Sequence, residues 1–296
     1  MSIARGQAGR LPFPRRREAS RSAPPREFDR PRFLKWFLVA FLVFTLAPIV
    51  IVALFSFNSS KSLQNFDGFS LQWYRDFLND TQLRESLFAS LEIALVTMIV
   101  ATILGTMLAY GLVRTRARFG GGVNVLMLIP LVTPEIVAGV SALLLFTQIG
   151  MQLSLATVMI AQITFSISYV TVVVRARLAG LGRDVEEAAM DLGATRLQTL
   201  RLITLPALWP AIVAAALLVF ALSFDDFVLS FFTTGTSPQP LPVRIYSSIR
   251  FGVTPTINAI GTLMMLISLA TIALAVALPR LVGRREYRAV LLGEEA

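Results

Sequence analysis

The 296 residues of this chain include no cysteine and no histidine. The first absence excludes a disulfide framework and any cysteine-ligated metal site. The second removes the commonest general base and the commonest transition-metal ligand, and with them the usual hydrolase triads and zinc centres. Charge is scarce too: 15% of the residues are charged, against roughly 25% in a soluble domain. Lysine occurs only at Lys35 and Lys61, and neither follows a glycine. No GxxxxGK[ST] phosphate loop can therefore form, and ATP hydrolysis by that route is closed to this chain.

Apolar sequence fills the space. The chain is 55% hydrophobic with a net charge of +9. Its basic residues sit in short segments beside the apolar blocks, which is a membrane pattern rather than a nucleic-acid face. Six blocks reach the roughly 20 residues that a membrane helix needs: 33–57, 86–113, 123–149, 152–175, 207–232 and 258–282. Pro130 and Pro134 predict a kink or break in the third. The fifth opens on LPALWP, with prolines near a helix start, where a missing N–H matters least.

Residues 1–32 are rich in Arg, Pro and Ser and read as a disordered cytoplasmic tail. The apolar block after them is too long for a signal peptide, and no small-residue cleavage site is evident. Orientation follows the Lys and Arg count in the flanks. Of 27 such residues, 22 fall on the side of both termini and of the loops holding Arg114–Arg118 and Arg175–Arg201. That side is assigned to the cytoplasm, giving six spans with both ends inside. Residues 58–85 become an outer loop, whose Trp73, Tyr74 and Phe77 suit a membrane interface. The Pro- and Gly-rich stretch 233–257 is a second outer loop, and 283–296 a cytoplasmic tail.

One polar segment interrupts the apolar blocks: Glu187–Pro206, EAAMDLGATRLQTLRLITLP. Asp184 and Glu187 have capping-box spacing, as do Thr195 and Gln198. Val185, Ala188, Ala189 and Leu192 form a narrow stripe at helical spacing. Gly193 is placed to stop the first helix through positive φ. Leu197, Leu200 and Ile203 line the inner side of a second. These features predict a helix–Gly–helix elbow on the cytoplasmic face. The residues alone leave open whether it meets a partner or merely covers its own bundle.

Acidic residues inside apolar blocks are costly and usually face a bundle interior. Asp225 and Asp226 fall in the outer part of the fifth block, Glu135 at mid-depth in the third and Glu92 in the second. Such a lining suits a cationic solute, because carboxylates replace part of its hydration. The plainer alternative has the Asp pair capping helix ends or bonding Ser223 and Thr233, and Glu92 snorkelling to the interface. An ion-coupled carrier or channel working alone also fits six spans with buried carboxylates, although no internal repeat of the kind such carriers show is evident. A membrane enzyme fits less well, with no His, no Cys and no cofactor motif.

Glu187-Ala188-Ala189, then Gly193, then Ile203-x-Leu205-Pro206 resembles the EAA motif of bacterial ABC-importer permeases in full. The similarity extends over nearly the whole chain after residue 33. It implies an all-α, type I importer permease fold in a bacterial inner membrane, with a permease domain over 86–282 and a coupling segment at 184–206. In that family the elbow is a coupling helix seated in a separate ATPase. The resemblance thus gives Glu187, Ala188, Ala189 and Gly193 the docking role, and Ile203, Leu205 and Pro206 the return to the fifth span. It further implies an ABC ATPase dimer that binds the ATP, a second permease subunit, an external binding protein, and no cofactor on this chain. GFSLQWYRDF, PEIVAGVSALLLF, VRARLAGL, LSFDDFVLSFFTTG and LPVRIYSSIRFGVTPTINAI are similar to the polyamine (spermidine/putrescine) permeases, in particular the second of their two permease subunits. Thr256 departs from the acidic residue common there, which leaves substrate detail open, with another solute such as ferric iron as an alternative.

Overall fold

The computed structural model describes residues 32–62, 65–114, 120–236, 238–250, 252 and 254–292, without the side chains of 32, 33, 120 and 279–292. The segment read as a disordered tail, 1–32, lies outside the described residues but for the backbone of Arg32, as do Arg116 and Arg118. Helix α1 (Arg32–Phe55) is strongly apolar, with Pro48 inside it. Most of it belongs to an N-terminal unit ending at Val50, and all later elements belong to a second unit from Ile51.

The second unit begins with α2 (Gln72–Asn79) and the long α3 (Thr81–Arg114). Next come α4 (Gly120–Val132), α5 (Glu135–Gln148) and α6 (Leu155–Gly180). Two short helices follow, α7 (Asp184–Asp191) and α8 (Arg196–Thr199), and a π-helical turn (Leu200–Thr204) leads into α9 (Leu205–Phe224). The chain closes with α10 (Val228–Thr233), α11 (Leu241–Ile249) and α12 (Pro255–Leu292). Among the described residues there is no strand. Among those residues five helices are long and apolar enough to cross a membrane, and α4 with α5 makes a sixth if that bent pair is one span.

The core forms where small residues let backbones approach. Ala101, Gly105 and Ala109 recur every four residues along α3, so they share one face, and all are buried. Val170, Val174 and Leu178 of α6 and Leu208, Ala215 and Val219 of α9 complete this cluster. Without a hydrophobic drive between helices in lipid, close packing of this kind is the main source of association. A Cβ on Gly105 would lie 2.6 Å from Val170 Cβ and 3.0 Å from the Ile167 carbonyl oxygen. Overpacking of a tight contact costs about 1–3 kcal/mol. Gly105→Leu is therefore expected to lower the melting temperature of the purified chain in detergent and its monodisperse yield, with Gly105→Ala milder. An unchanged melt would mean that α3 and α6 do not meet here.

A second cluster, toward the other end of the bundle, joins Phe77 of α2, Ala94 of α3, Phe224 of α9, Leu241 of α11, and Ile260 and Met264 of α12. It draws on both segments read as outer loops, each of which contains a helix. Trp73 and Phe77 are 6% and 2% exposed, so these aromatics are core rather than interface residues. The amphipathic face of α2 packs on α3 and α12, and the Trp73 indole donates to the Asn58 carbonyl at 2.6 Å. The Ser90 hydroxyl accepts from the Leu241 backbone N–H at 2.8 Å and so satisfies the start of α11.

The break expected in the third span occurs at Pro134, where α4 and α5 turn through 108°. Proline cannot donate and disfavours a helical residue before it. Pro130 lies inside α4. The fifth block is not one helix: α9 stops at Phe224 and α10 begins at Val228. At the other extreme, α12 continues helical to Leu292, through residues read as tail.

Candidate functional site

The elbow is built by local chemistry at each joint. Helix α7 ends in a Schellman arrangement, in which the N–H of Gly193 donates to the Met190 carbonyl and that of Ala194 to the Ala189 carbonyl, both at 3.0 Å. Gly193 takes φ +94°, the left-handed conformation this motif demands. The spacing from Ala189 to Gly193 therefore has a physical reason: Ala189 supplies the carbonyl that the residue after the glycine must reach. Thr195 then caps α8, accepting from the Gln198 N–H at 3.3 Å while the Gln198 side chain accepts from the Thr195 N–H at 2.8 Å. The box proposed for Asp184 does not form, because the residue before α7 is Arg183 in helical conformation and Asp184 is already in the first turn.

The return into α9 passes through the π-turn, where the Leu205 N–H donates to the Leu200 carbonyl. Pro206 follows in the first turn of α9. Its ring crowds the carbonyl four residues back, at Leu202, and a widened turn relieves that crowding. Ile203 and Leu205 are half-buried and Pro206 is exposed.

The apolar stripe faces outward. Val185 is 62% exposed, Leu192 91% and Leu197 60%, so Leu197 does not line an inner side. Ala188 is exposed and Ala189 half-buried. Glu187 is exposed and its side chain has no hydrogen bond or ion pair among the described residues. What ties the elbow to the bundle is a set of residues the sequence reading passed over. Glu186 Oε1 accepts from Arg114 Nη2 at 3.0 Å and from the Thr204 hydroxyl at 2.9 Å. Arg114 also donates to the Leu181 carbonyl at 3.3 Å, and Arg183 donates to the Val113 carbonyl at 3.0 Å. The ion-paired side chains are 10% and 13% exposed, and removing one partner of a buried pair costs about 3–5 kcal/mol. Beside this network a cavity of about 520 Å³ opens between Tyr110, Glu186, Glu187, Met190 and Arg196.

The second locus is the break between α9 and α10. Asp226 caps α10, accepting from the Ser230 N–H at 2.9 Å, the Ser230 hydroxyl at 3.0 Å and the Leu229 N–H at 3.4 Å. Gln162 of α6 reaches across to donate to Asp226 at 2.9 Å and to the Ser230 hydroxyl at 3.1 Å. The Ser223 hydroxyl donates to the Gln162 amide oxygen. The partners that the plainer alternative named, Ser223 and Thr233, are therefore not those of the carboxylate: Ser223 is one step removed, and the Thr233 carbonyl accepts from Thr157 at 2.7 Å while its hydroxyl donates to the Leu229 carbonyl.

Glu135 is the first residue of α5, immediately after the Pro134 break. It lines a cavity of about 40 Å³ with Gln162, Tyr169, Ser223 and Asp226. Two broken spans thus bring Glu135 and Asp226 together, and Asp225 lies within electrostatic reach of both. Asp225 is exposed. No described Lys or Arg is ion-paired with any of the three. Phe227, next in the chain after Asp226, packs with Phe231 and Tyr246, with Tyr246 centred 4.8 Å from Phe227 and 5.7 Å from Phe231. Glu92 does not join them. It is exposed on α3, and the buried positions of that helix lie on its other faces.

Comparison with known proteins gives these two features a context. A family model described as "Binding-protein-dependent transport system inner membrane component" matches residues 101–286. The chain belongs to this family. The putrescine transport system permease protein PotI of Escherichia coli K12 is 40% identical over 240 residues, covering 78% of this chain and 85% of that protein. The spermidine/putrescine transport system permease protein PotC of Haemophilus influenzae is 38% identical over 244 residues, covering 82% and 95%. Among solved structures, a bacterial ABC transporter involved in the import of the acidic polysaccharide alginate aligns with a TM-score of 0.68 at 14% identity, over 84% of this chain and 94% of that one. The MetNI methionine ABC transporter aligns at 0.54 and 18% identity, over 69% and 94%. At these identities the structures speak for the fold, which is that of importer permeases. The chain is a non-catalytic component of the inner membrane. A carrier working alone, and a membrane enzyme, are both set aside by the family.

Proposed function

We infer that this chain forms one half of the membrane path of an ATP-driven importer for a small polyamine of the putrescine and spermidine class. The observation that carries the solute is the likeness to two polyamine permeases over about four-fifths of the chain, joined to the acidic break. A linear diamine offers two ammonium groups separated by methylenes. Asp225 and Glu135, unpaired by any described basic residue, are suited to the first. Phe227, beside Asp226 in the chain, belongs to an aromatic cluster with Phe231 and Tyr246, and aromatic ring faces attract cations.

The elbow is the docking point for the ATPase. Glu187, Ala188, Ala189 and Gly193 meet the ATPase cleft, and Ile203, Leu205 and Pro206 carry its motion into α9. The outward stripe of Val185, Leu192 and Leu197 supports this reading, since exposed apolar side chains beside charged ones mark an interaction surface. The excess of basic residues supports a cytoplasmic side for the elbow and both termini. A second permease, most simply a different chain, completes the path, and an external binding protein delivers the solute to the opposite face. Two bundles then alternate access as ATP binding closes the ATPase dimer and hydrolysis resets it.

The test is uptake of labelled putrescine and of labelled spermidine by cells with and without this chain, each with unlabelled competitors. Loss of polyamine uptake on deletion, restored by the chain, is the expected result. Unchanged polyamine uptake with loss of ferric iron uptake would overturn the solute. Uptake by the purified single chain, driven by an ion gradient without ATP, would overturn the importer mechanism.

A further inference from the structure

Glu186 stands just before Glu187, which opens the motif, and a helix sets neighbouring residues about 100° apart, so they cannot do the same job. Glu187 is exposed, whereas Glu186 is turned inward and nearly buried. Its single oxygen Oε1 joins three elements: α7, which carries it; the end of α3, through Arg114 at 3.0 Å; and the π-turn at the head of α9, through Thr204 at 2.9 Å. Thr204 is 2% exposed, and its hydroxyl has one proton to give. The Thr199 carbonyl is the competing acceptor at 3.5 Å, so the proton goes to the carboxylate. The same guanidinium nitrogen also donates to the Leu181 carbonyl at 3.3 Å.

We propose that Glu186 is the positioning residue of the elbow, forming with Arg114 and Thr204 a buried strut that delivers displacement of α7 to both α3 and α9. The proposal rests on the elbow being the coupling site, and it assigns the transmitting contact within it. The strut suits that task because a charged, nearly buried contact costs much to break and so resists sliding. The site of attachment matters as well. A π-turn has a looser ladder than α-helix, so without a side-chain tether a push at α7 would be absorbed there before it reached α9. Arg114 sits at the last turn of α3, the helix that packs most extensively on both α6 and α9. A pull on it moves the core cluster rather than one helix.

The experiment uses the assembled transporter with its co-purified ATPase and second permease, reconstituted in vesicles with the binding protein. Uptake per ATP hydrolysed and ATPase retained per permease are both measured. Glu186→Gln is expected to keep the ATPase bound while uptake per ATP falls about tenfold, within the range of a typical coupling free energy. Thr204→Val removes one hydrogen bond and is expected to lower that ratio about fivefold, and Thr204→Ser to restore it. A role confined to folding would lower assembled complex and leave the ratio alone. If Glu186→Gln does not assemble, the Thr204 pair decides by the same ratio. Unchanged ratios in Glu186→Gln and Thr204→Val, with Gly193→Asp uncoupled, overturn the strut and spare the elbow. Unchanged ratios in all three variants overturn the elbow as well.

Discussion

Gly193→Asp in the assembled transporter is expected to lower uptake per ATP hydrolysed by about a hundredfold, near the upper end of the roughly 5–150-fold that typical coupling free energies span. Space is not the reason, because a Cβ at this position meets nothing within 4 Å. Two other effects act. The backbone stands at φ +94°, where a side chain adds roughly 1–2 kcal/mol of strain. The new carboxylate also lies against the free carbonyls at the end of α7, the unfavourable end for a negative charge. Either effect loosens the Schellman closure, and the elbow then no longer turns as one piece. Membrane insertion does not depend on this joint, so the chain still reaches the membrane at its normal level. Gly193→Asn separates the two effects: it keeps the tolerance of short polar residues for positive φ without the charge, and its loss of uptake is expected to be smaller. Normal uptake by the Asp variant, with the chain present at wild-type level, would show that coupling occurs elsewhere.

How much of this was legible before the structure depended on whether the cause was local. The Pro134 break was legible because proline acts on its own turn. So was the turn at Gly193, since the glycine and the polar run after it are neighbours in sequence. Thr195 and Gln198 formed their box and Asp184 did not, although the spacing is the same. The difference is backbone: Thr195 is extended, at ψ 158°, whereas the residue before α7 is helical, at ψ −16°. At Asp225 and Asp226 a helix cap was legible as the plainer alternative, but the far partners of the carboxylate were not. The Asp226 carboxylate that starts α10 is held by donors that include Gln162, 64 positions away. Glu186 was overlooked because the stripe was drawn through apolar residues, and its partners Arg114 and Thr204 lie 72 and 18 positions off. Glu92 shows the converse. Its acidity in an apolar block was legible, but the face it occupies was not, since α3 is apolar on every side and only packing reveals which face is inside.

Asp225→Asn and Asp226→Asn are expected to fail in different ways, although the sequence presents them as a pair. Asp225 is exposed, and its carboxylate bonds no other residue's side chain among the described residues. Its amide variant therefore costs the fold little and removes a charge from the mouth of the path. One charge-assisted hydrogen bond to an ammonium group is worth about 1.5–3 kcal/mol, so the half-saturating concentration for putrescine should rise roughly 10–150-fold with normal assembly. Asp226 is bound up in structure. Its carboxylate accepts from Ser230, Leu229 and Gln162, and an amide there offers one acceptor oxygen and two donor hydrogens to a set made only of donors. A buried donor left without an acceptor costs about 1–3 kcal/mol. The α9–α10 break should loosen, and with it the contact between Gly139 of α5 and Phe232 of α10, where a Cβ would have only 2.7 Å. Asp226→Asn is thus expected to lower the melting temperature and the amount of assembled transporter before any change in affinity is measurable. The second substitution Gln162→Glu, which places another carboxylate against Asp226, should do the same more strongly. Uptake kinetics and a melt on each single variant separate the two roles: wild-type affinity in Asp225→Asn removes that residue from the path, and a wild-type melt in Asp226→Asn removes its structural role.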